Sequence, residues 1–244
     1  MERERRSAYL AEAIGTFFLV LFIALTLAVN SEAGLGSLDL LMIGMVHAFA
    51  LMMIIATIGG ASGAHVNPAV TIALCAIRKI APVDAAIYIL VQLAGAVLAV
   101  LVVKALLVDG SGDATNFGAP AVADNFLEGK ALAGFLGEAI GTFALMWAIM
   151  GVAVNPRAAK DWAPVVIGAT LGLAVFCLGP MTGGSFNPAR AFAPALISAE
   201  FGDAGTFVLS YMLGPILGAL AAAFAYSAVV LQERQSARPI DKLG

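Results

Sequence analysis

Charge is what this chain has least of. Only 12% of its 244 residues are Asp, Glu, Lys or Arg, against about 25% in a soluble domain. Hydrophobic residues make up 61%, and the mean hydropathy is +0.96. That composition excludes a polar-surfaced globule and leaves an integral membrane protein. The net charge of -3 says little about partners, and no nucleic-acid partner or cofactor is expected. Cysteine is scarce too: Cys75 and Cys177 both lie in apolar runs, which reads as free thiols rather than a disulfide framework. A convincing small-residue cleavage site is also missing. The first apolar run continues to about Val29, so no cleaved signal peptide is expected.

What is present is six long apolar runs, at about 8–29, 40–58, 84–106, 131–153, 163–180 and 206–231. Each approaches the ~20 residues that a membrane-spanning helix needs. The connections sort by charge. Arg3, Arg5, Arg6, Arg78, Lys79, Arg157, Lys160, Arg234, Arg238 and Lys242 all fall on one side if both termini are cytoplasmic, as the positive-inside rule asks. Glu32, Asp39, Asp109, Asp113, Asp124, Glu128, Glu200 and Asp203 fall on the other, with only Lys104 and Lys130 near them. Six spans with both ends inside are predicted, and segments 30–39 and 107–130 are external.

Two further apolar segments are too short to span. Each opens on the same tripeptide, Asn67-Pro68-Ala69 and Asn187-Pro188-Ala189, after a stretch of small residues. Asn is a good helix N-cap, and Pro in the first helical position forfeits no hydrogen bond. Two half-length helices are predicted, each starting at its Asn. The irregular segments 60–66 and 181–186 before them would survive at membrane depth only by lining a cavity or being buried in protein.

The halves repeat. Ala11-Glu12-Ala13-Ile14-Gly15-Thr16-Phe17 matches Gly137-Glu138-Ala139-Ile140-Gly141-Thr142-Phe143, the tripeptide follows in each, and Gly95-Ala96 then matches Gly218-Ala219. Three spans per half make the second half inverted, and inverted repeats place their shared site near the bilayer midplane. The two short helices would then meet there by their N-termini.

These residues resemble the aquaporin, or major intrinsic protein, family. The likeness rests on Ser62 through Thr71, on Asn187-Pro188-Ala189-Arg190 and on the paired Glu12 and Glu138 motifs, and it covers about residues 8 to 231. It implies an all-α membrane protein of six transmembrane helices and two re-entrant half-helices. One channel domain would fill 1–244, with repeats at about 8–106 and 131–231 and an external linker at 107–130. It implies a passive channel, not an enzyme, conducting water and other small neutral solutes such as ammonia while excluding protons and ions. It also implies a homotetramer, while the short tails and the absence of targeting signals point to the cytoplasmic membrane.

By the same resemblance, Asn67 and Asn187 donate to the passing molecule at the midplane. The carbonyls of Gly63, Ala64 and His65 and of Gly183, Gly184 and Ser185 form a hydrogen-bonding ladder. His47, Val175, Gly184 and Arg190 form the narrow filter. That set is similar to the plant tonoplast-type branch and should be somewhat wider than a strict water filter. Asn116 or Phe117 would touch the outer vestibule. Glycerol-conducting relatives carry Asp after the Arg and a basic residue four positions later; here Ala191 and Ala195 stand in those places. Tyr211 resembles the water branch, although Met212 replaces the usual aromatic beside it. A glycerol or small-polyol facilitator is the second reading.

Two other functional classes compete with the channel. Intramembrane carboxylates are functional suspects, so Glu12 and Glu138 could serve an ion-coupled carrier; the resemblance instead makes them acceptors for loop N–H groups. Ser185 with His65 or His47 could suggest a hydrolase, but no orienting acid accompanies them. Gly137/Gly141, Gly168/Gly172 and Gly214/Gly218 are spaced for close helix packing, within a protomer or between protomers.

Overall fold

The computed structural model describes residues 2–33, 37–108 and 111–231. Asp109, Arg234, Arg238 and Lys242 lie outside the described residues, as do the side chains of Glu32 and Asp39. The described chain runs as α1 (Glu2–Ala33), α2 (Ser37–Ser62), the short α3 (Pro68–Ala76), α4 (Pro82–Leu106), α5 (Asp124–Leu127), α6 (Ala131–Ile149), α7 (Ala163–Thr182), the short α8 (Pro188–Ser198), α9 (Ala204–Phe207) and α10 (Gly214–Tyr226). A 3-10 turn at Asp113–Gly118 precedes α5. π-helical turns extend α6 over Met150–Val154, join α9 to α10 over Val208–Leu213 and continue α10 over Ser227–Leu231.

Six helical stretches of 23 to 28 residues are long and apolar enough to cross a membrane. Each contains the apolar run that predicted it or overlaps most of it. α1 starts earlier than its apolar run because Arg3, Arg5 and Arg6 are good helix formers and extend it beyond the hydrocarbon. The irregular segments are shorter than expected. Gly60, Ala61 and Ser62 belong to α2, and Met181 and Thr182 to α7, so only 63–66 and 183–186 are non-helical. A helical glycine costs only about 1 kcal/mol, and the ladder continues until Gly63 and Gly183 turn left-handed.

The inverted repeat is visible in the packing. α1 packs against α2 and α4, and α6 packs against α7 and α10. α2 meets α7, α3 meets α8, α3 rests on α10, and α8 rests on α4. Exchanging α1 with α6, α2 with α7, α3 with α8 and α4 with α10 returns the same set of contacts. Small residues allow it. A Cβ on Gly95 would run into the carbonyl of Ala13, and one on Gly218 into that of Ala139. The spaced glycine pairs all work within the protomer. Gly168 and Gly172 face α2 at Ala48, Gly214 and Gly218 face α6, and Gly137 and Gly141 face Thr182 and Phe186. Cys75 and Cys177 are both free. Asp203 caps α9 by accepting from the Thr206 N–H at 2.7 Å, and that bond holds its carboxyl below the usual range.

The candidate pore

The two half-helices begin as their sequences dictate. Asn67 is extended at φ -157° and accepts from the Ala69 N–H at 2.9 Å through Oδ1, with Pro68 in the first turn. Asn187, at φ -156°, accepts from Ala189 at 3.0 Å and from Arg190 at 3.4 Å. Their amide nitrogens do something the sequence did not disclose. Asn67 Nδ2 donates to the Phe186 carbonyl and Asn187 Nδ2 to the Val66 carbonyl, both at 2.8 Å. A carboxamide has two N–H donors. One on each residue is therefore spent tying the loops together, and one is left for the cavity that both asparagines line.

The loops before them share an unusual backbone. Gly63, Ala64 and Val66 have φ of 86°, 48° and 40°; Gly183, Gly184 and Phe186 have 79°, 57° and 52°. Three of these six, Ala64, Val66 and Phe186, carry a Cβ, and for them the left-handed conformation needs outside support. Glu12 and Glu138, both fully buried, supply it. Glu12 accepts from the Ser62 hydroxyl at 2.7 Å, from the His65 N–H at 2.9 Å, from Val66 N–H at 2.7 Å and from Gln92 Nε2 at 2.8 Å. Glu138 accepts from the Thr182 hydroxyl at 2.7 Å, the Ser185 N–H at 3.0 Å and the Phe186 N–H at 2.6 Å. Tyr88 donates to the Ser62 carbonyl at 2.9 Å and Tyr211 to that of Thr182 at 3.0 Å. Glu12 thus accepts four hydrogen bonds and Glu138 three, and neither carboxylate lines the cavity.

That cavity holds about 60 Å³. At roughly 10–15 Å³ per water, this is space for about four to six waters. Its walls are mostly apolar: Leu19, Leu51, Leu145, Ile149, Ile167 and Leu171 are among them. The polar groups are few. Gly63, Ala64, His65, Asn67, Ser185, Asn187, His47 and Arg190 all reach it. Gly183, Gly184 and Val175 do not line it. Val175 is buried in the apolar cluster of Leu171 and Ala174, and Leu171, one turn earlier on α7, occupies the wall. Gly184 backs onto Gly179, where a Cβ would come within 3.1 Å of that Cα.

Arg190 and His47 are 3% and 2% exposed. Arg190 donates from Nη1 to the Gly118 carbonyl at 2.7 Å. His47 Nδ1 lies 2.7 Å from the Ile43 carbonyl. A carbonyl only accepts, so Nδ1 carries the hydrogen. In the neutral ring Nε2 is then an acceptor, and it has no partner among the described residues. Asn116 and Phe117 part company: Asn116 lines a separate cavity of about 420 Å³ beside α9, whereas Phe117 is buried against α1 and α4. Ser185 donates its hydroxyl to the Asn187 carbonyl at 2.9 Å, and His65 Nδ1 is 3.2 Å from Thr71 Oγ1, so serine and histidine are not arranged as nucleophile and base.

The loop-supporting roles of Ser62, Thr182, Tyr88 and Tyr211 go beyond the sequence expectations, yet their positions carry a signal. Ser62 and Thr182 stand five residues before each Asn, and Tyr88 and Tyr211 seven before Gly95 and Gly218. Gln92 and the Gly118 carbonyl had no such signal.

Comparison with known proteins agrees with this geometry. The family model described as major intrinsic protein matches residues 2–226. The chain is 39% identical over 236 residues to a protein described as probable aquaporin AqpM from Archaeoglobus fulgidus, covering 90% of this chain and 95% of that one. It is 36% identical over 216 residues to glycerol uptake facilitator protein-like 6 of Lactiplantibacillus plantarum, covering 88% and 94%. In fold it is similar to the aquaglyceroporin from Plasmodium falciparum, with a TM-score of 0.79 at 22% identity over 94% of this chain and 98% of that one.

Proposed function

Since the chain belongs to the major intrinsic protein family of membrane channels, we propose that it is a water channel that also passes ammonia and other small neutral solutes. The observation that carries this reading is the cavity lined by Asn67, Asn187, His47 and Arg190. It has room for a few waters, mostly apolar walls that offer little to bind, and the capping asparagines of two helix N-termini on its wall. Each N-terminus is worth roughly half a positive charge. Together with Arg190 they raise the energy of a proton or cation there and leave a neutral molecule unaffected.

In this reading Asn67 and Asn187 mark the pore's midplane, and the carbonyls of Gly63, Ala64, His65, Gly183, Gly184 and Ser185 lead to it from either side. Glu12 and Glu138 support the two loops. His47 and Arg190 form the constriction, with Val175 and Gly184 as the other two members of a tonoplast-type combination. The acceptor on His47 and the donors on Arg190 suit a solute that both donates and accepts, as water and ammonia do. Ala191 and Ala195 are fully buried beside Phe207 and Tyr211, which leaves no place for the charged residues of the glycerol-conducting branch. The protein works as a homotetramer in the cytoplasmic membrane, with both termini inside.

A glycerol facilitator is the second reading, favoured by the facilitator-like relative. Stopped-flow light scattering on proteoliposomes separates the two. An osmotic step should give fast shrinkage with a low activation energy, glycerol should equilibrate far more slowly, and His47→Phe should reduce ammonia flux relative to water. Glycerol entry as fast as water, or shrinkage no faster than empty liposomes from folded protein, would overturn the proposal.

A further inference from the structure

Arg190 is almost fully buried, and among the described residues its guanidinium is held by one carbonyl, that of Gly118 at 2.7 Å, while its Nε has no partner there. The orientation of the cation in the cavity therefore depends on where the 3-10 turn Asp113–Gly118 places that oxygen. The turn ends in an unusual way. Asn116, Phe117 and Gly118 are left-handed in succession, with φ of 49°, 53° and 87°, and for the first two a Cβ makes that conformation costly. Such strain persists only where surrounding structure over-determines it, and it clusters at working sites.

The surrounding structure here is the seat of one ring. Phe117 is 2% exposed, in a single buried cluster with Val20 and Ala24 of α1, Val100 and Val103 of α4 and Ala189 and Ala193 of α8. The last two flank Arg190 on its own helix. The Lys104 ammonium stands over the ring, 5.8 Å from its centroid, within cation–π range. Phe117 N–H also bonds the Gly112 carbonyl at 3.0 Å. Gly118 is pressed onto α1 so closely that a Cβ would lie 2.7 Å from Leu27 Cδ1. The seated ring thus anchors the turn to α1, α4 and α8.

We propose that Phe117, which never touches the lumen, is a positioning residue for Arg190. Its ring locks a strained turn into the α1–α4–α8 cluster, and the turn delivers the Gly118 carbonyl that aims the guanidinium, so the solute selectivity of the pore depends on a side chain outside it. This rests on Arg190 being part of the constriction.

The test measures the glycerol-to-water permeability ratio in proteoliposomes of the full chain, for wild type, Phe117→Ala, Arg190→Ala and the double variant. Phe117→Leu, which keeps most of the apolar plug, replaces Phe117→Ala if the latter does not insert. Phe117→Ala should raise the ratio by about threefold, within the coupling expected of residues in one network, and should add nothing further in the Arg190→Ala background. A purely structural role would lower both fluxes together and leave the ratio unchanged, which would overturn the proposal. An equal rise in both backgrounds would also overturn it, because Phe117 would then act independently of Arg190. If Arg190→Ala alone leaves the ratio unchanged, the filter reading itself fails, and this inference fails with it.

Discussion

Asn67 donates through its side-chain amide to the carbonyl oxygen of Phe186 at 2.8 Å, joining residues that are 119 apart in the chain. The reciprocal bond from Asn187 to Val66 has the same length. The two half-helices are thus stitched to each other by the residues that cap them, and any change at either asparagine acts on both loops.

Asn67→Asp should separate the two tasks. Aspartate keeps the cap acceptor for the Ala69 N–H and loses the donor to Phe186, leaving a buried carbonyl unpaired beside a new negative charge. A loss of about 2 kcal/mol is expected, with proton or cation leakage above wild type. Thermal denaturation in detergent and a pH-sensitive dye inside proteoliposomes measure the two effects.

Glu138→Gln replaces one carboxylate oxygen with an amide that must face the Phe186 N–H, the Ser185 N–H or the Thr182 hydroxyl, all donors. The expected cost is roughly 3 kcal/mol. Wild-type flux should be indifferent to an imposed pH or sodium gradient, because neither Glu12 nor Glu138 reaches the cavity. Gradient-driven solute uptake that disappears in Glu138→Gln would instead support a carrier.

The glycines make opposite predictions. Gly95→Ala and Gly218→Ala push a methyl into the backbone carbonyls of Ala13 and Ala139, which cannot move aside without separating α1 from α4 or α6 from α10. Each should destabilise by about 1–3 kcal/mol. Gly60→Ala meets nothing within 4 Å in the last turn of α2 and should stabilise by about 0.5–1 kcal/mol. Melting temperatures of the three variants check this.

Ala153 lies on the cavity wall in the π turn that ends α6. Ala153→Trp should obstruct the pore at the end remote from Arg190. Water flux should fall towards that of empty liposomes while the melting temperature stays near wild type. Undiminished flux would move the pathway away from this cavity.

Much of this was legible in the chain. Apolar runs long enough to span read directly as helices, because in hydrocarbon the backbone has few other ways to satisfy its hydrogen bonds. The Asn-Pro starts of α3 and α8 were equally plain, since capping is a property of a few adjacent residues. Glu12 and Glu138 announced themselves as charges where charge is expensive. What could not be read locally was how far α2 and α7 persist. Helix continues through Gly60–Ser62 and Met181–Thr182 because the stopping point is set by the left-handed Gly63 and Gly183 rather than by small-residue content.

By itself, then, the sequence determined the membrane class, the six spans, the inverted repeat and the identity of the capping asparagines, because each follows from composition, periodicity or a contiguous motif. Only the tertiary structure decided which atoms those residues meet. It gave Asn67 to Phe186, Glu12 to four donors from α2, the first loop and α4, Arg190 to Gly118, and the cavity wall to Leu171 rather than Val175. These are contacts between segments up to 121 residues apart. They depend on how closely glycine lets the helices approach, and no local pattern encodes that distance.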